Sequence, residues 1–492
     1  MQLKSIKFVL PILLLGSQTV FGQLAATKGI TREELFKHLN GLFQQNTDAA
    51  KNNILKEALF LSKSKKEEDQ LLSAQLYEGL EQTDMAETIK KGINKKFPKG
   101  ITVRNTAFGA LFQNTDLTAQ QAEDQYKQLL QQYPEGNYEE KSNGVYGYAT
   151  GAIALQYARE KNLAKVTQYM NALKPRKNYV ESNFMVGREL NKQGEFVFVQ
   201  AMLEPVYTDL TVRKNSAEST SNKDGLPYYG GITLQYAESL MGANALDKAL
   251  DVLALQQQQL PSEFTTILYA KALNIKGRHL DAFSLLENEV VQNGKTTRLM
   301  NALLPLYSQL NGNLTDTTQY IGQLDGRIKS ALITKLKSEM IKNEAPQFSL
   351  MDNNGKEVSL ASLKGKVVVL DFWATWCGPC KISFPGMQAA VNKYANDDEV
   401  TFLFVNTWQK EINYKDLVAQ FIAENKYSFH VLFDEMKDQK KSVVSAYGVK
   451  GIPNKVVIDK EGFIRFQSAG SDADIEKIVN EISVKIDLAK KG

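Results

Sequence analysis

Cysteine and histidine are scarce in this chain, which has two cysteines and three histidines among its 492 residues. So few cysteines exclude a fold that is held together by several disulfides. The two that are present, Cys377 and Cys380, are three positions apart. A bond between them would close so short a loop that it would restrict the unfolded chain very little. Stabilisation is therefore a poor explanation for this pair, and thiol chemistry is a better one.

A strong net charge and long apolar runs are also lacking. The formal net charge is +4 and no basic face is clustered along the sequence, so nucleic-acid binding has no support. Beyond the first residues, no segment is apolar enough for a transmembrane helix. Hydrophobic residues make up 43% and charged residues 23%, which argues against wholesale disorder. A chain of this length is too long for one core, so we expect two or more domains.

The first residues have the pattern of a secretory signal. Two lysines precede an apolar stretch over residues 8–15, and Val20 and Gly22 occupy the small-residue positions before a cleavage point. The apolar stretch is well short of the roughly twenty residues needed to span a bilayer. We therefore expect residues 1–22 to be a cleaved signal peptide. The mature protein would then be soluble in the periplasm or otherwise exported, and an uncleaved anchor is the alternative.

Residues 23–341 have the pattern of a series of helices, because apolar residues recur at spacings of three and four and alternating β-branched runs are scarce. Three alanines are each followed by a proline twelve residues later: Ala86 and Pro98, Ala122 and Pro134, Ala249 and Pro261. This resembles the tetratricopeptide repeat, in which a small residue lets two helices pack closely and a proline ends the second one. We expect an all-α, tetratricopeptide-like helical-repeat domain; a plain irregular helical domain is the alternative.

The pattern changes near residue 344 to an alternation of strands and helices. Residues 366–373 form a short, almost wholly apolar run, which is typical of a strand buried on both faces. Further strands are predicted at 400–407, 430–433, 455–459 and 463–467, and helices at the cysteine motif, at 414–424 and at 474–488. Residues 344–492 are therefore predicted to form one α/β domain.

The spacing of the two cysteines favours redox chemistry. Cys377 follows a predicted strand and a short turn, and it falls at the start of a helix, where free backbone N–H groups and the helix dipole favour a thiolate. We expect it to be ionised and reachable. Cys380 lies on the same helix face, close enough to attack a mixed disulfide formed at Cys377. Half a zinc site is the alternative, but no histidine has another candidate ligand near it. We therefore expect no metal, and no cofactor besides the redox-active disulfide Cys377–Cys380.

The segment around the cysteines resembles the active site of thioredoxins. The resemblance is carried by residues 371–381, DFWATWCGPCK, and by Pro385, which is similar to the proline that kinks the thioredoxin active-site helix. Residues 345–348, APQF, and residues 451–453, GIP, resemble the exported TlpA/ResA branch of that family. The resemblance implies a thioredoxin fold for residues 344–492, so the expected architecture is multidomain, with an α-helical N-terminal domain and an α/β C-terminal domain.

The resemblance also implies roles for individual residues. Cys377 would be the nucleophile and Cys380 the resolving cysteine of a thiol-disulfide oxidoreductase. Pro453 would be a cis-proline that faces the disulfide, and the backbone of Ile452 would pair with the substrate chain. Trp376, next to the nucleophile, would line the exposed face.

The two residues between the cysteines, Gly378 and Pro379, complete the predicted substrate-binding set. Together with Ile452 they resemble the reducing members of the family, as opposed to the strong oxidants. We therefore expect a protein disulfide reductase.

Asp371 is a catalytic candidate on physical grounds, because it interrupts an apolar run and so enters the domain interior. An unpaired buried carboxyl tends to keep its proton, and beside Cys380 it could accept the proton of the resolving thiol. The alternative is a strand-end aspartate bonded to backbone. Two positions depart from the TlpA/ResA pattern: Ser383 replaces a glutamate, which shifts proton handling to Asp371, and Asn454 replaces a threonine, which leaves substrate preference open.

The expected partners are protein disulfide substrates, a membrane-embedded electron donor, and a protein docked on the helical repeats. The alternative function is a helical-repeat binding or scaffold protein with a subordinate redox-sensing domain. A thiol peroxidase is disfavoured, because peroxiredoxins place a threonine three residues before the reactive cysteine and this chain has Ala374 there.

Overall fold

The computed structural model describes residues 30–45, 47–113, 117–215, 228–312, 317–409, 411, 413–436 and 438–492. These residues form two compact units, which divide between Ala249 and Leu250. The predicted signal peptide, residues 1–22, lies outside the described residues. None of the described helices is both long enough and apolar enough to cross a membrane.

Helices make up the regular structure of the described residues from Arg32 to Glu339, which confirms the predicted all-α region. Most have one buried apolar face, as in α1, where Leu35, Leu39 and Leu42 are buried at helical spacing. The helices are Arg32–Gln45 (α1), Asp48–Ser62 (α2), Glu67–Gly79 (α3), Thr83–Lys96 (α4), Ile101–Gln113 (α5), Ala119–Gln132 (α6), Gly144–Arg159 (α7), Leu163–Leu173 (α8), Tyr179–Lys192 (α9), Phe196–Asn215 (α10), Tyr229–Gly242 (α11), Leu246–Gln259 (α12), Glu263–Ile275 (α13), His279–Asn293 (α14), Thr297–Asn311 (α15) and Thr317–Glu339 (α16).

The three alanine–proline pairs fall at equivalent places in α4, α6 and α12. Each alanine is the fourth residue of its helix and is at most 3% exposed, and each proline comes two residues after that helix ends: Ala86 and Pro98, Ala122 and Pro134, Ala249 and Pro261. A small residue at a packed position and a proline that cannot continue the helix are what the predicted repeat requires. The tetratricopeptide-like description itself stays a prediction.

One mixed sheet organises the described residues after α16. Its strands are Asn343–Glu344 (β1), Ser349–Asp352 (β2), Glu357–Ser359 (β3), Val367–Trp373 (β4), Val400–Asn406 (β5), Val431–Phe433 (β6), Asn454–Ile458 (β7) and Phe463–Ala469 (β8), in the spatial order β1-β8-β7-β4-β5-β6-β2-β3. Strand β4 pairs parallel with β5 and antiparallel with β7. Every residue of β4 is buried, as its apolar sequence predicts. The strands predicted from the sequence correspond to β4–β8.

Within the described residues, four α-helices follow β4 in the chain: Gly378–Lys393 (α17), Tyr414–Glu424 (α18), Val443–Ala446 (α19) and Ile475–Ala489 (α20). Two apolar cores lie on the two faces of the sheet, and the alternating side chains of β4 divide between them. Val367, Val369 and Trp373 join the core that contains both cysteines and buried residues of α17 and α20. Val368, Leu370 and Phe372 join the other core, which contains Val443 and Val444 of α19. Strand β4 therefore links the two cores and ends at the cysteine motif.

Helix α16 belongs to the same compact unit as the sheet. Leu336 is 2% exposed and is part of the core that contains the cysteines, and Leu332, Ile333 and Met340 pack against that core. Leu332, Ile333 and Leu336 share one face of α16, so this face packs against the core that contains the cysteines. The domain boundary predicted at 341–344 stays a prediction. Helix α16 lies before that boundary, yet its side chains pack in a core formed by residues that follow it.

Candidate active site

The cysteine motif lies where β4 passes into α17. Cys377 is the N-cap residue of α17, and its Sγ accepts a hydrogen bond from the backbone N–H of Cys380 at 3.1 Å. Pro379 occupies the first turn, where a missing backbone N–H costs no helical hydrogen bond. The sequence thus places the first sulfur at the amino end of the helix, where free N–H groups and the helix dipole favour negative charge.

The two cysteines form a disulfide, with their Cα atoms 5.3 Å apart. Cys377 is 2% exposed and Cys380 is fully buried. Cys377 is therefore less accessible in this oxidised form than its place at a helix start suggested, because both residues are part of the apolar core on that face. The accessible surface next to the disulfide comes from exposed Gly378 and Pro379 and from Trp376, which is 51% exposed.

Residues 452–453 lie at the same end of the sheet as the disulfide. Strand β7 runs antiparallel to β4 with Asn454 opposite Phe372, so the residue before Asn454 comes next to the end of β4. The Ile452–Pro453 peptide bond is cis, as the resemblance implies. Pro453 is buried and Ile452 is half-buried. The fold thus brings together the two segments predicted to bind substrate, although that role stays a prediction.

Asp371 lies in the interior, as predicted. It is 1% exposed, and the alternation along β4 places it on the same face as Val369 and Trp373, which is the face of the cysteine core. Burial raises the pKa of this carboxyl, and the positive charge of Lys455 opposes that rise only in part. Asp371 thus favours its protonated form more than an exposed aspartate does.

Lys455 is a neighbour of Asp371 that sequence reasoning missed. The two residues are directly opposite each other on β7 and β4, with Nζ and Oδ2 3.7 Å apart. At that distance they form an ion pair without a hydrogen bond, and neither the two carboxyl oxygens nor the Nζ atom has a hydrogen-bond partner in the part of the chain that the structure describes. The sequence feature that could have indicated this neighbour is a lysine in the otherwise apolar strand segment 455–458, since a buried lysine needs a negatively charged partner.

No group of three or more histidine, cysteine, aspartate or glutamate side chains suited to a metal ion occurs within the described ranges. In the arrangement seen here the two sulfurs bind each other. Ser383, which stands where a glutamate occurs in some relatives, is fully buried and donates its hydroxyl to the Cys380 carbonyl at 3.0 Å. Residue 383 therefore supplies no carboxyl, and the carboxyl that β4 places on the face of the cysteine core belongs to Asp371.

The fold and the cysteine motif define a thioredoxin-like redox domain, and the comparisons with known proteins agree. The model of the AhpC/TSA family matches residues 341–467. The thiol-disulfide oxidoreductase ResA of Bacillus subtilis is 38% identical over 24% of this chain, and the match spans 62% of that protein's length. The thioredoxin-like protein YneN of the same organism is 33% identical over 30% of this chain and 78% of its own length.

Two further proteins show the same likeness. ResA of Bacillus thuringiensis is 36% identical over 26% of this chain and 70% of its own length. The crystal structure of StoA from Bacillus subtilis is 26% identical, covers 28% of this chain and 97% of its own, and has a TM-score of 0.24. Through its C-terminal region, the chain belongs to the family of ResA and related thioredoxin-like thiol-disulfide oxidoreductases.

Proposed function

We propose that this protein reduces disulfides in other proteins outside the cytoplasm. The observation that carries the proposal is the Cys377–Cys380 disulfide at the start of α17, at the same end of the sheet as the Ile452–Pro453 loop. The exposed Trp376 and Pro379 support a role for the surrounding surface in binding a polypeptide that carries the target disulfide. The export signal predicted for residues 1–22 supports the location.

The reaction begins with both cysteines reduced. The Cys377 thiolate attacks one sulfur of the substrate disulfide, and the other substrate sulfur leaves as a thiolate and takes up a proton. Cys380 then loses its proton and attacks Cys377 Sγ, which breaks the mixed disulfide and releases the second substrate sulfur as a thiolate that takes up a proton from solvent. Two electrons have passed to the substrate, and the protein is left with its own disulfide. A donor of two electrons and two protons, proposed to be membrane-embedded, restores the dithiol.

Asp371 is proposed to accept the Cys380 proton in the second step. Its carboxyl is buried on the cysteine face of β4, and burial raises its pKa. A carboxyl whose affinity for protons is raised is a better base than an exposed aspartate once it is ionised. Lys455, 3.7 Å away, would stabilise the ionised form when it is needed.

Replacement of the resolving cysteine tests this scheme. In Cys380→Ser the attack on the substrate remains but the release step is lost, so a mixed disulfide between Cys377 and a substrate such as insulin should accumulate. Mass spectrometry of the non-reduced adduct identifies the linked cysteine. The double variant Cys377→Ser/Cys380→Ser is the matched control and should form no adduct. A Cys380→Ser chain that forms no adduct with any disulfide would rule out the proposed reaction.

The helical region is proposed to dock a partner or substrate. Large apolar side chains are exposed on it, among them Tyr148, Val197 and Val212, at 58%, 72% and 65%. These side chains offer apolar surface that a docked protein could bury. Replacing Tyr148 and Val197 with serine should leave insulin reduction unchanged and lower the yield of endogenous adducts trapped by Cys380→Ser. An unchanged adduct yield would argue against docking on these residues.

A peroxidase function is not favoured by the site. Ala374 is buried at the end of β4, at the position where a peroxidase of this fold would need a threonine. The reduced protein should therefore consume hydrogen peroxide far more slowly than it reduces insulin. Faster peroxide consumption would replace the disulfide proposal with a peroxidase one.

A further inference from the structure

The loop that follows β5, residues 407–409, lies against the turn that carries the nucleophile. The Thr407 N–H donates to the carbonyl oxygen of Trp373 at 2.9 Å, at the point where β4 ends. The indole Nε1 of Trp376 donates to the carbonyl oxygen of Trp408 at 3.0 Å. The backbone of one loop thus holds both ends of the short turn before the reactive cysteine.

Gln409 holds the middle of the same turn through its side chain. Its Nε2 donates to Thr375 Oγ1 at 2.8 Å, and its Oε1 accepts from the Thr375 backbone N–H at 3.3 Å. Gln409 is only 7% exposed. A buried amide needs protein partners in place of water, so the loss of these hydrogen bonds would leave polar atoms unsatisfied and would cost free energy. Thr375 is the second residue before Cys377.

Trp408 has an unusual backbone conformation. Its φ is 55°, in the left-handed region that bulky side chains rarely adopt. Its half-buried ring packs against the apolar core that contains Phe372 and Val444. That packing offsets the backbone cost and fixes the direction of the carbonyl that receives Trp376. A strained residue next to a reactive group is a reason to look for a role in the reaction.

The same loop connects the cysteine turn with the segment that leads to the cis-proline. Thr407 Oγ1 donates to Asp434 Oδ2 at 2.9 Å, and the Asp434 carboxylate accepts from the N–H groups of Val443 and Val444 at 2.7 and 3.0 Å. These are the first residues of α19, which precedes Pro453 in the chain. Thr407 and Asp434 are at most 3% exposed. A buried polar network therefore joins the loop that holds the cysteine turn to α19, the helix that precedes the Ile452–Pro453 segment in the chain.

We propose that Gln409 and the Trp408 carbonyl are positioning groups, which hold Thr375 and Trp376 in the geometry that a polypeptide substrate requires. This inference rests on the proposed disulfide reductase function. A protein disulfide must fit against the surface around Cys377, and a surface that is already held in place loses less free energy on binding. A small disulfide touches mainly the sulfur and depends less on that surface.

The variant Gln409→Leu tests the role of the side chain, because leucine keeps similar bulk and removes both hydrogen bonds. The full-length, pre-reduced protein is mixed with insulin or with dithiobis(nitrobenzoate), and the rate is followed against substrate concentration. We expect the insulin concentration for half-maximal rate to rise about tenfold, while the limiting rate and the rate with the small disulfide change much less. Gln420→Leu, at an exposed glutamine on α18, is the matched control.

Thr375→Val provides a second measurement, because valine removes the hydroxyl bond and keeps the shape of the side chain. We expect the insulin concentration for half-maximal rate to rise several-fold. In the double variant Gln409→Leu/Thr375→Val the rise, as a free energy, should be smaller than the sum of the two single effects, because both substitutions remove the same contact. Thr375→Val carries the test if Gln409→Leu does not fold. If the variants reduced insulin and the small disulfide more slowly by the same factor, or reduced both as fast as wild type, the positioning role would be overturned.

The proposed function and this inference fail in different ways. A wild-type protein that reduces neither substrate overturns the reductase function and the inference with it. A wild-type protein that reduces both, with variants that follow the wild-type curves, overturns the positioning role alone.

Discussion

The helical region and the redox region each bury a carboxyl to the same extent, with opposite consequences. Glu123 on α6 and Asp371 on β4 are both 1% exposed. Burial raises the pKa of Glu123, but hydrogen bonds from Lys127, Lys165 and Tyr157 outweigh it and lower that pKa to about 2. Among the described residues, the charged group that acts on Asp371 is Lys455, at 3.7 Å, and the pKa of Asp371 is raised because burial outweighs it. Burial is thus common to both, and the partners decide the protonation state.

The difference shows how the two regions use buried charge. Lys165 Nζ lies 2.9 and 2.8 Å from the two Glu123 oxygens, and Tyr157 donates its hydroxyl to the same carboxylate, so this charge is fully paired. A paired carboxylate contributes to packing between helices and has no proton to exchange near neutral pH. The Asp371 carboxyl has no hydrogen-bond partner among the described residues, and such a group can readily gain or lose a proton.

The largest expected effect is the loss of chemistry on replacement of the nucleophile. Cys377→Ser should lower insulin reduction to the background rate, because serine cannot form the mixed disulfide. Glu123→Gln, in the helical region, should leave the rate per folded molecule within about twofold. A turnover assay under matched folding conditions checks both. A comparable loss of insulin reduction in Glu123→Gln would show that the buried carboxylate of the helical region is also needed for the reaction.

Removal of the paired carboxylate should destabilise the first unit. Glu123→Gln leaves Lys165, which is 29% exposed, near a neutral amide, and weakening hydrogen bonds to a charged group costs up to about 3 kcal/mol. The pKa of Glu123 is lowered on folding, so its contribution is complete above about pH 4.5 and is lost as the pH falls toward about 2. Urea unfolding at several pH values measures the difference from wild type. A difference that stayed constant down to pH 2 would contradict the assignment.

Helix α16 belongs to the region predicted to be all-α, but it packs in the core that contains both cysteines. The variant Leu336→Ala tests how much this packing stabilises the core. The substitution removes a leucine that is 2% exposed from the core containing both cysteines, which should cost about 3 kcal/mol. Thermal unfolding of the second unit should shift down, and a chain starting at residue 344 should be less stable than one starting at 317. Equal stability of these two chains would show that α16 adds nothing to the redox core.

Replacement of the Asp371 carboxyl should slow the release step. Asp371→Asn keeps the shape but cannot accept the Cys380 proton, and loss of a general base costs about 100-fold or more. The rate at which the second thiol is released, measured by stopped flow after rapid mixed-disulfide formation, checks this. Asp459→Asn is the matched control, because Asp459 is also buried but pairs with Arg465 at 3.2 Å. Equal slowing in the control would point to a structural effect.

The same substitution should change the pH dependence of stability by a smaller amount. The pKa of Asp371 is raised on folding, so the folded protein keeps a proton that the unfolded chain releases above about pH 4. Wild type should therefore lose about 1.4 kcal/mol per pH unit relative to Asp371→Asn, from about pH 4 until the folded carboxyl ionises. Denaturant unfolding between pH 4 and 8 measures this slope. A wild-type protein that gained stability relative to Asp371→Asn over that range would contradict the raised pKa.

The elements that were predicted well have a local cause. The apolar run of β4, the helix start at Cys377 and the amphipathic helix α20 can each be recognised within a short window, because the alternation and capping that define them are properties of neighbouring residues. Strands β1–β3 are short and mostly polar, and residue patterns alone did not indicate them. The cis bond before Pro453 came from the family resemblance, since most X-Pro bonds are trans.

By itself, the sequence determined the helical and α/β regions, the pairing of Cys377 with Cys380 at the start of a helix, and the burial of Asp371. These follow from periodicity, spacing and the interruption of an apolar run. The tertiary structure alone decided that Lys455 lies opposite Asp371, that Gln409 holds Thr375, and that α16 joins the redox core. The physical reason is that these contacts join residues far apart in the chain, and their distances depend on strand register and helix packing, which no local pattern records.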